Sequence, residues 1–219
     1  MSEFRSNTDY VGFERSSSKF LYRQVKRCFD IVATLALAPL AIPIVAIAAL
    51  LVRLDGGRAF YSQTRVGRGG AVFTLWKLRS MRPDAAGLLE AHLRECPDAR
   101  SEWEANQKLR HDPRITRVGL VLRKYSIDEL PQLLNVLTGQ MSLVGPRPMM
   151  PEQRPHYPGE AYFSLRPGLT GLWQVSERNG CTFAERAMYD NRYATTMSFA
   201  VDLAILLRTV AVVLHGTGV

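Results

Sequence analysis

The apolar positions of this chain are concentrated in one uncharged run, from Ile31 to Val52. About 20 apolar residues, each rising 1.5 Å, are enough to cross the hydrocarbon core of a bilayer, so the pattern predicts a membrane helix over residues 21–54. Pro39 and Pro43 lie near the middle of the run. Because each proline removes a backbone donor and clashes with the carbonyl four residues earlier, we expect a break there and not a straight span.

The charges beside the run bear on its topology. Basic flanks mark the cytoplasmic side of a membrane helix, and both flanks are basic here. A re-entrant helix that enters one leaflet, bends at Pro39 and Pro43 and returns places both ends on that side, whereas a single span does not. The flanking residues are Arg23, Lys26 and Arg27 before the run and Arg53, Arg58, Arg65 and Arg68 after it.

The remaining patterns predict a mostly helical α+β domain over residues 55–219, preceded by a flexible polar tail at residues 1–20. No signal peptide is expected, because the apolar run begins too late and no small-residue cleavage site follows it. Strands are predicted at 59–64 and 71–78, forming a small β-hairpin around a glycine-rich loop. Helical spacing is found at 85–109 (divided near Pro97), 115–124, 183–193 and 199–214. The last segment is apolar except for Asp202 and Arg208, a pattern that suits an interfacial amphipathic helix or a helix packed on the domain, and not a second span.

The net charge of +8 and the pI near 9.7 suit an anionic partner. No nucleic-acid-binding module accompanies the charge, so a membrane surface is the favoured explanation and no nucleic acid is expected. The three cysteines, Cys28, Cys96 and Cys181, lack CxxC spacing and are expected to be reduced.

The densest group of charged side chains lies between Arg123 and Gln132. One interpretation is structural, because Ser126 and Glu129 match the spacing of a capping box and Asp128 can itself cap a helix. Pro131 favours Asp128 as the cap, since the proline then falls in the first turn, where its missing N–H costs little. On local sequence alone, the structural interpretation is favoured.

A chemical interpretation uses the same geometry. A carboxylate at a helix N-terminus lies in a positive field and stays ionised at neutral pH, and Arg123 and Arg147 add positive charge suited to phosphates. Asp128 is then a suitable nucleophile toward a nucleotide diphosphate sugar, because attack gives an acyl phosphate that retains a reactive bond. Glu129 is placed to share a divalent cation or to assist proton transfer, and spacing alone leaves both roles open.

Five motifs follow one another along the chain: Lys26–Asp30, Trp76–Met81, Ser126–Gln132, Met141–Pro148 and Arg166–Val175. Together they resemble the small monotopic phosphoglycosyl transferases, bacterial sugar transferases that begin glycan assembly on polyprenyl phosphate. The resemblance covers residues 22–214. The stretch 102–116 is more similar to the hexose-1-phosphate branch, which initiates exopolysaccharide and O-antigen synthesis.

The resemblance implies a two-step reaction. Asp128 attacks the β-phosphate of a UDP-sugar, with galactose or glucose expected from the branch, UMP leaves, and polyprenyl (undecaprenyl) phosphate then accepts the phosphosugar. It also implies Mg²⁺ near Asp128 and Glu129, and a catalytic domain on the cytoplasmic face of the bacterial inner membrane. The family's membrane helix is re-entrant and broken at a Ser-Pro pair, whose proline aligns with Pro43. Substrate-binding roles, mostly toward phosphates, are implied for Lys77, Arg123, Arg147, Arg178 and Asn179.

Two positions depart from the family pattern. Ile42 stands where the family has serine before Pro43, so no hydroxyl is available there for the backbone carbonyls that the proline frees. Glu177 stands where the family has glycine, and it adds negative charge beside Arg178. These departures leave a rival function open, a membrane-tethered scaffold or regulator that has kept the fold and lost turnover.

Overall fold

A computed structural model describes residues 8–106, 109, 111–176 and 182–216. It has the α+β class that the sequence predicts. Three short 3-10 helices lie at Arg68–Gly70, Ile127–Gln132 and Pro151–His156. The α-helices are α1 (Thr8–Leu54), α2 (Ala85–Glu95), α3 (Pro97–Asn106), α4 (Arg117–Lys124), α5 (Leu133–Leu137), α6 (Ala161–Ser164), α7 (Arg186–Thr196) and α8 (Phe199–Leu214). The strands are β1 (Phe60–Val66), β2 (Val72–Leu78), β3 (Ser142–Val144) and β4 (Gly168–Thr170).

Helix α1 differs from its prediction in two respects. It begins at Thr8 and not at residue 21, because a helix already formed extends into polar sequence more easily than a new one starts; residues 8–20 are therefore part of the helix and not of a tail. It also continues through Pro39 and Pro43, so the expected break does not end the helix; each proline removes one backbone donor and leaves the other helical hydrogen bonds in place. Residues Leu21–Leu54 are long and apolar enough to cross a membrane, by length and composition.

One folded body contacts the apolar run of α1 at both of its ends and in its middle. Just before the run, Arg27 donates hydrogen bonds to the carbonyls of Val136 (2.5 Å) and Leu137 (2.8 Å). Ala41, between the prolines, belongs to the main hydrophobic core. Val52, 1% exposed, packs in a second cluster near the end of the helix. A helix that crosses a bilayer places its two ends on opposite sides of the membrane. Because both ends of the apolar run contact the same body, a crossing would require part of that body to lie on the far side.

Two buried carboxylates bind the start of the apolar run to the rest of the domain. Asp30 accepts hydrogen bonds from the Ser142 hydroxyl (2.7 Å) and the Leu143 amide (3.1 Å). Asp202 of α8 pairs with the Lys26 ammonium at 2.5 Å. Because breaking one partner of a buried charged contact leaves the other unsatisfied, these bonds specify how α1 is seated on β3 and α8.

The hairpin follows its prediction. Strands β1 and β2 pair antiparallel, from Phe60 opposite Leu78 to Val66 opposite Val72. Phe73 and Leu75 are buried on one side of β2, with Lys77 on the same side, as the alternation predicts. The glycine-rich loop between the strands holds a short 3-10 turn, in which Gly69 and Gly70 have positive φ.

A second sheet was not predicted. Strands β3 and β4 pair parallel, with Ser142 opposite Gly168 and Val144 opposite Thr170. The sequence predicts a turn at residues 166–171, because glycines and a proline stand there. The strand forms nevertheless, since the close approach of Gly145 to Gly168 leaves no room for side chains at either position.

The predicted helices are present, with shifted ends. The division at Pro97 is confirmed, since α2 ends at Glu95 and α3 begins at Pro97. Helix α8 has the predicted bounds and is capped by the Ser198 hydroxyl, which accepts from the Val201 amide. Helices α4 and α7 begin two and three residues later than expected.

The C-terminal end of α1 depends on Arg79. Its guanidinium donates to the carbonyls of Arg58 (2.8 Å), Met81 (2.9 Å) and Val52 (2.8 Å), and also to that of Gly56. The last carbonyls of a helix have no partner within the helix, so Arg79→Ala leaves several acceptors unsatisfied. We expect a loss of roughly 2–4 kcal/mol in the free energy of unfolding, measured by denaturant titration in detergent.

The control for Arg79 is Arg82→Ala, because the side chain of Arg82 is exposed and donates no hydrogen bond within the described residues. Its unfolding free energy should stay within about 0.5 kcal/mol of wild type. Equal stability of the Arg79→Ala and Arg82→Ala variants would show that these carbonyl contacts contribute nothing.

Candidate functional site

Asp128 lies in the 3-10 helix Ile127–Gln132, directly after α4. It is 7% exposed. The capping prediction is wrong in both of its forms. Ser126 precedes the turn in a left-handed conformation (φ 54°) and its side chain caps nothing, while Asp128 lies inside the turn.

The Asp128 carboxylate accepts no hydrogen bond and forms no ion pair within the part of the chain that the structure describes. Buried carboxylates are ordinarily hydrogen-bonded or paired, because burial without a partner is costly. A capping carboxylate would accept hydrogen bonds from backbone amides. The Asp128 oxygens accept none within the described residues, which favours the chemical interpretation.

Asn135 holds strand β2 beside this turn, a role that the sequence did not predict. The Asn135 amide donates to the Thr74 carbonyl (2.7 Å), and its oxygen accepts from the Trp76 amide (3.3 Å). The side chain thus bonds to the open edge of β2 as a neighbouring strand would. The feature of the sequence that could have indicated this role is an asparagine within the apolar segment Leu133–Leu137.

Because β2 is held in this way, Lys77 reaches the acidic pair. The Lys77 ammonium lies 2.7 Å from a Glu129 carboxylate oxygen, and the Arg147 guanidinium lies 3.4 Å from the same oxygen. The Lys77 and Glu129 side chains are only 20% and 18% exposed, so the pair is shielded from solvent on most sides. Glu129 therefore links two cations beside the Asp128 carboxylate.

Burial raises the pKa of Asp128 to about 6. The Lys77 charge opposes this rise most strongly, the Glu129 charge adds to it, and Arg123 and Arg147 also oppose it. The carboxylate is therefore mainly ionised at pH 7, as expected, but it is poorly solvated. Such a group is more nucleophilic than an exposed carboxylate.

A cleft of about 250 Å³, its open mouth included, is lined by Glu129, the chain neighbour of Asp128, while Asp128 is not among the described residues that line it. Its lining includes Arg65, which the sequence suggested only as a flanking charge. The Arg65 guanidinium donates to the Gln63 side chain (2.6 Å) and to the Pro148 carbonyl (3.3 Å). The charged side chains lining the cleft are three cations and one carboxylate: Arg65, Lys77, Arg147 and Glu129. This excess of positive charge suits a phosphate or diphosphate group.

A second cleft of similar size shares Arg147 with the first. Its wall is aromatic, and the Arg186 guanidinium lies 4.0 Å from the centre of the Trp173 ring. Asp190 is buried in it and accepts a hydrogen bond from the Tyr157 hydroxyl (2.6 Å). Aromatic faces next to charged hydrogen-bonding groups suit a sugar or a nucleobase.

The structure brings together most of the predicted site residues. Asp128, Glu129, Lys77 and Arg147 form one cluster, and Arg123 is close enough to influence the Asp128 charge. Arg178 and Asn179 lie outside the described residues, as does Glu177. Their predicted roles stay predictions.

The acidic pair, Asp128 and Glu129, is suited to hold Mg²⁺ only when a substrate supplies further ligands. Within the described residues, no group of three or more His, Cys, Asp or Glu side chains is arranged to hold a metal ion. Mg²⁺ is commonly bound by one or two carboxylates, with water and substrate phosphates completing its shell. Asp128 and Glu129, next to a cationic cleft, fit that mode.

The raised pKa of Asp128 predicts an unusual stability change. An acid whose pKa is raised on folding destabilises the folded state above that pKa, and the cost disappears below its unfolded value near 4. In metal-free buffer, Asp128→Asn should therefore be more stable than wild type at pH 8, by roughly 1–3 kcal/mol. The advantage should shrink as the pH falls through 6 and be lost by about pH 4.

Denaturant titrations of both proteins at pH 4, 6 and 8, with chelator present, measure this difference. Asp112→Asn is the matched comparison, because the Asp112 side chain is also nearly buried but pairs with Arg114 at 2.6 Å, which lowers the pKa of Asp112. It should lose stability at pH 8. If Asp128→Asn is destabilised there as well, the Asp128 carboxylate has a stabilising partner.

The comparisons with known proteins agree on one family. The model of the bacterial sugar transferase family matches residues 21–216. Similar relatives include the exopolysaccharide production protein ExoY of Rhizobium meliloti, 44% identical over 216 residues that cover 97% of this chain and 96% of that protein. The UDP-glucose:undecaprenyl-phosphate glucose-1-phosphate transferase of Caulobacter vibrioides is 44% identical over 197 residues, covering 84% of this chain and 68% of that protein.

Some relatives are much longer than this chain. The UDP-galactose-lipid carrier transferase of Erwinia amylovora is 46% identical over 206 residues, which are 93% of this chain but 42% of that protein. The chain thus spans about two fifths of the length of that relative.

Proposed function

Because this chain belongs to the bacterial sugar transferase family, we propose that it transfers hexose-1-phosphate from a UDP-sugar to polyprenyl (undecaprenyl) phosphate. The reaction would be the first membrane step of exopolysaccharide or related glycan synthesis. The names of the relatives support UDP-galactose or UDP-glucose as the donor. The observation that carries the proposal is Asp128, a buried carboxylate without a hydrogen-bond partner in the described residues, next in the chain to Glu129 of a cationic cleft.

The reaction proceeds in two displacements at the same phosphorus. An Asp128 carboxylate oxygen attacks the β-phosphorus of the UDP-sugar, and the bond from that phosphorus to the bridging oxygen breaks. UMP leaves with the electron pair, and the phosphosugar is held as an acyl phosphate. A phosphate oxygen of polyprenyl phosphate then attacks the phosphorus, which releases the Asp128 carboxylate and the polyprenyl diphosphate sugar.

The surrounding side chains have separate roles in this scheme. Lys77 and Arg147 hold phosphate oxygens and reduce repulsion between the substrate and the acidic pair, with Arg123 adding to the positive field. Arg65 lines the same cleft and extends the cationic surface. The aromatic cleft next to Arg147 accepts a ring attached to the diphosphate. Arg178 and Asn179 are proposed to complete substrate binding.

Asp128 and Glu129 would hold Mg²⁺ together with substrate phosphate oxygens. When bound, the ion neutralises charge on the diphosphate and favours departure of UMP. Because Glu129 pairs with Lys77, holding Mg²⁺ would require Glu129 to give up part of that contact.

The proposed topology is a re-entrant helix in the cytoplasmic leaflet of the inner membrane. It is supported by the contacts of both ends of the apolar run with one body and by the exposed apolar side chains between them, such as Leu40 and Ile47. Ile42 is 66% exposed, so the departure from serine places an apolar side chain toward lipid. Pro39 and Pro43 are the proposed bend.

Cysteines on either side of the run test this topology. In a background without native cysteines, Gln24→Cys and Asp55→Cys should both react with a membrane-impermeant maleimide in inside-out vesicles, and neither in right-side-out vesicles. Both positions are exposed in the structure. Reaction of the two cysteines from opposite faces would establish a single span.

The activity is tested by UMP release. Purified protein in nanodiscs is mixed with polyprenyl phosphate, Mg²⁺ and one UDP-sugar from a panel that includes UDP-galactose and UDP-glucose. Release that requires polyprenyl phosphate and prefers one sugar supports the transferase. Absence of release with every sugar, from folded protein, would favour the scaffold or regulator.

A further inference from the structure

A separate cleft of about 410 Å³, its open mouth included, lies between the first turns of the membrane run and the junction of α7 with α8. Helix α1 lines it with Arg23 and Lys26, the hairpin turn with Arg68, and the segment before β4 with Arg166. None of the described residues that line this cleft lines the cleft beside Asp128. The two clefts are therefore different sites.

The charge in this cleft is not balanced. Among the described residues that line it, four are cationic and one, Asp30, is a carboxylate. The Asp30 carboxylate already bonds Ser142 and Leu143, and Lys26 already pairs with Asp202. Arg23, Arg68 and Arg166 form no ion pair with any described residue.

These arginines also oppose one another. Burial, followed by the neighbouring charges of Arg27 and Arg68, lowers the pKa of Arg166. The Arg166 Nε donates to the Gly139 carbonyl (3.0 Å), which holds the guanidinium in the cleft despite the repulsion. Guanidinium ions that line one cleft, with one of them held by a backbone carbonyl, suit a phosphate.

Apolar surface begins at the edge of the same cleft. On α1, Leu21 and Val25 are 65% and 51% exposed, next in sequence to Tyr22 and Lys26 of the cleft wall. The exposed Phe199 of α8 packs edge-on against Phe29 of α1, with ring centres 5.2 Å apart. This contact joins the exposed faces of two apolar helices into one surface, with the basic cleft beside it.

We propose that this cleft binds the phosphate headgroup of an anionic membrane phospholipid, whose acyl chains lie along the exposed faces of α1 and α8. The arrangement matches the order of a bilayer, in which phosphate stands directly above hydrocarbon. The bound phospholipid would hold the start of the apolar run at the headgroup level and so set the distance of the cleft beside Asp128 from the membrane. The proposal rests on the membrane attachment proposed above, but not on the chemistry at Asp128.

Lipid binding to the full chain tests the proposal. Protein in neutral detergent micelles is titrated with phosphatidylglycerol, and separately with polyprenyl phosphate, and bound lipid is counted by native mass spectrometry. The variant is R23Q/R68Q. Loss of two basic contacts at a lipid phosphate should weaken binding by roughly thirtyfold. A soluble probe, glycerol phosphate, is added in a third arm as a competitor.

The matched control is R82Q/R94Q, which removes the same charge from two exposed arginines far from the cleft in sequence. It should bind lipid within threefold of wild type, and R23K/R68K should recover most of the binding. A selective loss of phosphatidylglycerol binding in R23Q/R68Q supports the proposal. Equal binding by R23Q/R68Q and R82Q/R94Q overturns it, as does a loss confined to polyprenyl phosphate, which would make the cleft part of the acceptor site. Competition by glycerol phosphate at concentrations equal to those of the lipid also overturns it, because the chains would then contribute nothing and the ligand would be a free phosphate. UMP release measures the transferase separately.

Discussion

Replacing Asp128 by Asn should reduce turnover of UDP-sugar and polyprenyl phosphate by about four orders of magnitude or more. The amide has nearly the same shape as the carboxylate but lacks the anionic oxygen that attacks phosphorus. Removal of a covalent nucleophile leaves only the contribution of substrate binding and electrostatics. The measurement is kcat/KM from UMP release at pH 8, with Asp128→Asn shown to be folded by its unfolding transition.

The matched control for this loss is Asp112→Asn, which removes a nearly buried carboxylate from a site outside the cationic cleft. Its turnover should stay within about threefold of wild type when corrected for folded protein. Asp128→Asn with normal turnover would exclude the covalent mechanism. Asp128→Asn that turns over at a few per cent of the wild-type rate would give Asp128 a supporting role and not that of the nucleophile.

Replacing Lys77 by Met should lower kcat/KM by about 10²- to 10³-fold, the second-largest effect that we expect. The variant removes the ammonium 2.7 Å from Glu129 and leaves two adjacent carboxylates with less positive charge beside them. Loss of a preorganised charge at a developing anion commonly has an effect of this size. Since Lys77 is also the strongest influence that lowers the pKa of Asp128, activity should recover partly as the pH is raised from 6 to 9.

Two further variants separate charge from geometry at Lys77. Lys77→Arg keeps the cation and should retain more activity than Lys77→Met. Arg117→Met, which removes an exposed cation on α4, should have little effect. If Lys77→Met and Arg117→Met lose activity equally, the overall charge of the domain matters and the Lys77–Glu129 contact does not.

The elements that local pattern determines were predictable. Helix α8 was predicted with its bounds because its sequence is apolar except for Asp202 and Arg208, and the structure adds Ser198 as its cap. Strand β2 was predicted, with Lys77 on its buried side, because alternation alone places every second residue on one face. These features depend on residues close together in the chain.

Other features depend on residues far apart, and the sequence did not reveal them. The β3–β4 pairing joins two three-residue strands separated by more than twenty residues. Asn135 and Arg65 enter the site through contacts with β2 and with Pro148, which exist only after the chain has folded. At Asp128 the local rules for capping were misleading, because the turn is a 3-10 helix and the carboxylate caps nothing.

The site and the membrane helix are parts of one arrangement. The Ile127–Gln132 turn that carries Asp128 packs against both β2 and α1, so the position of the carboxylate is tied to that of the membrane helix. This proximity suits a reaction between a soluble nucleotide sugar and a phosphate that is held in the bilayer.

The most direct test is detection of the covalent intermediate. Wild-type protein is incubated with Mg²⁺ and its preferred UDP-sugar in the absence of polyprenyl phosphate, quenched in acid, digested, and analysed by tandem mass spectrometry. We predict one added phosphohexose on Asp128, which disappears when polyprenyl phosphate is supplied before the quench and is absent from Asp128→Asn. An adduct on another residue, or no adduct in an enzyme that turns over the same UDP-sugar, would contradict the account.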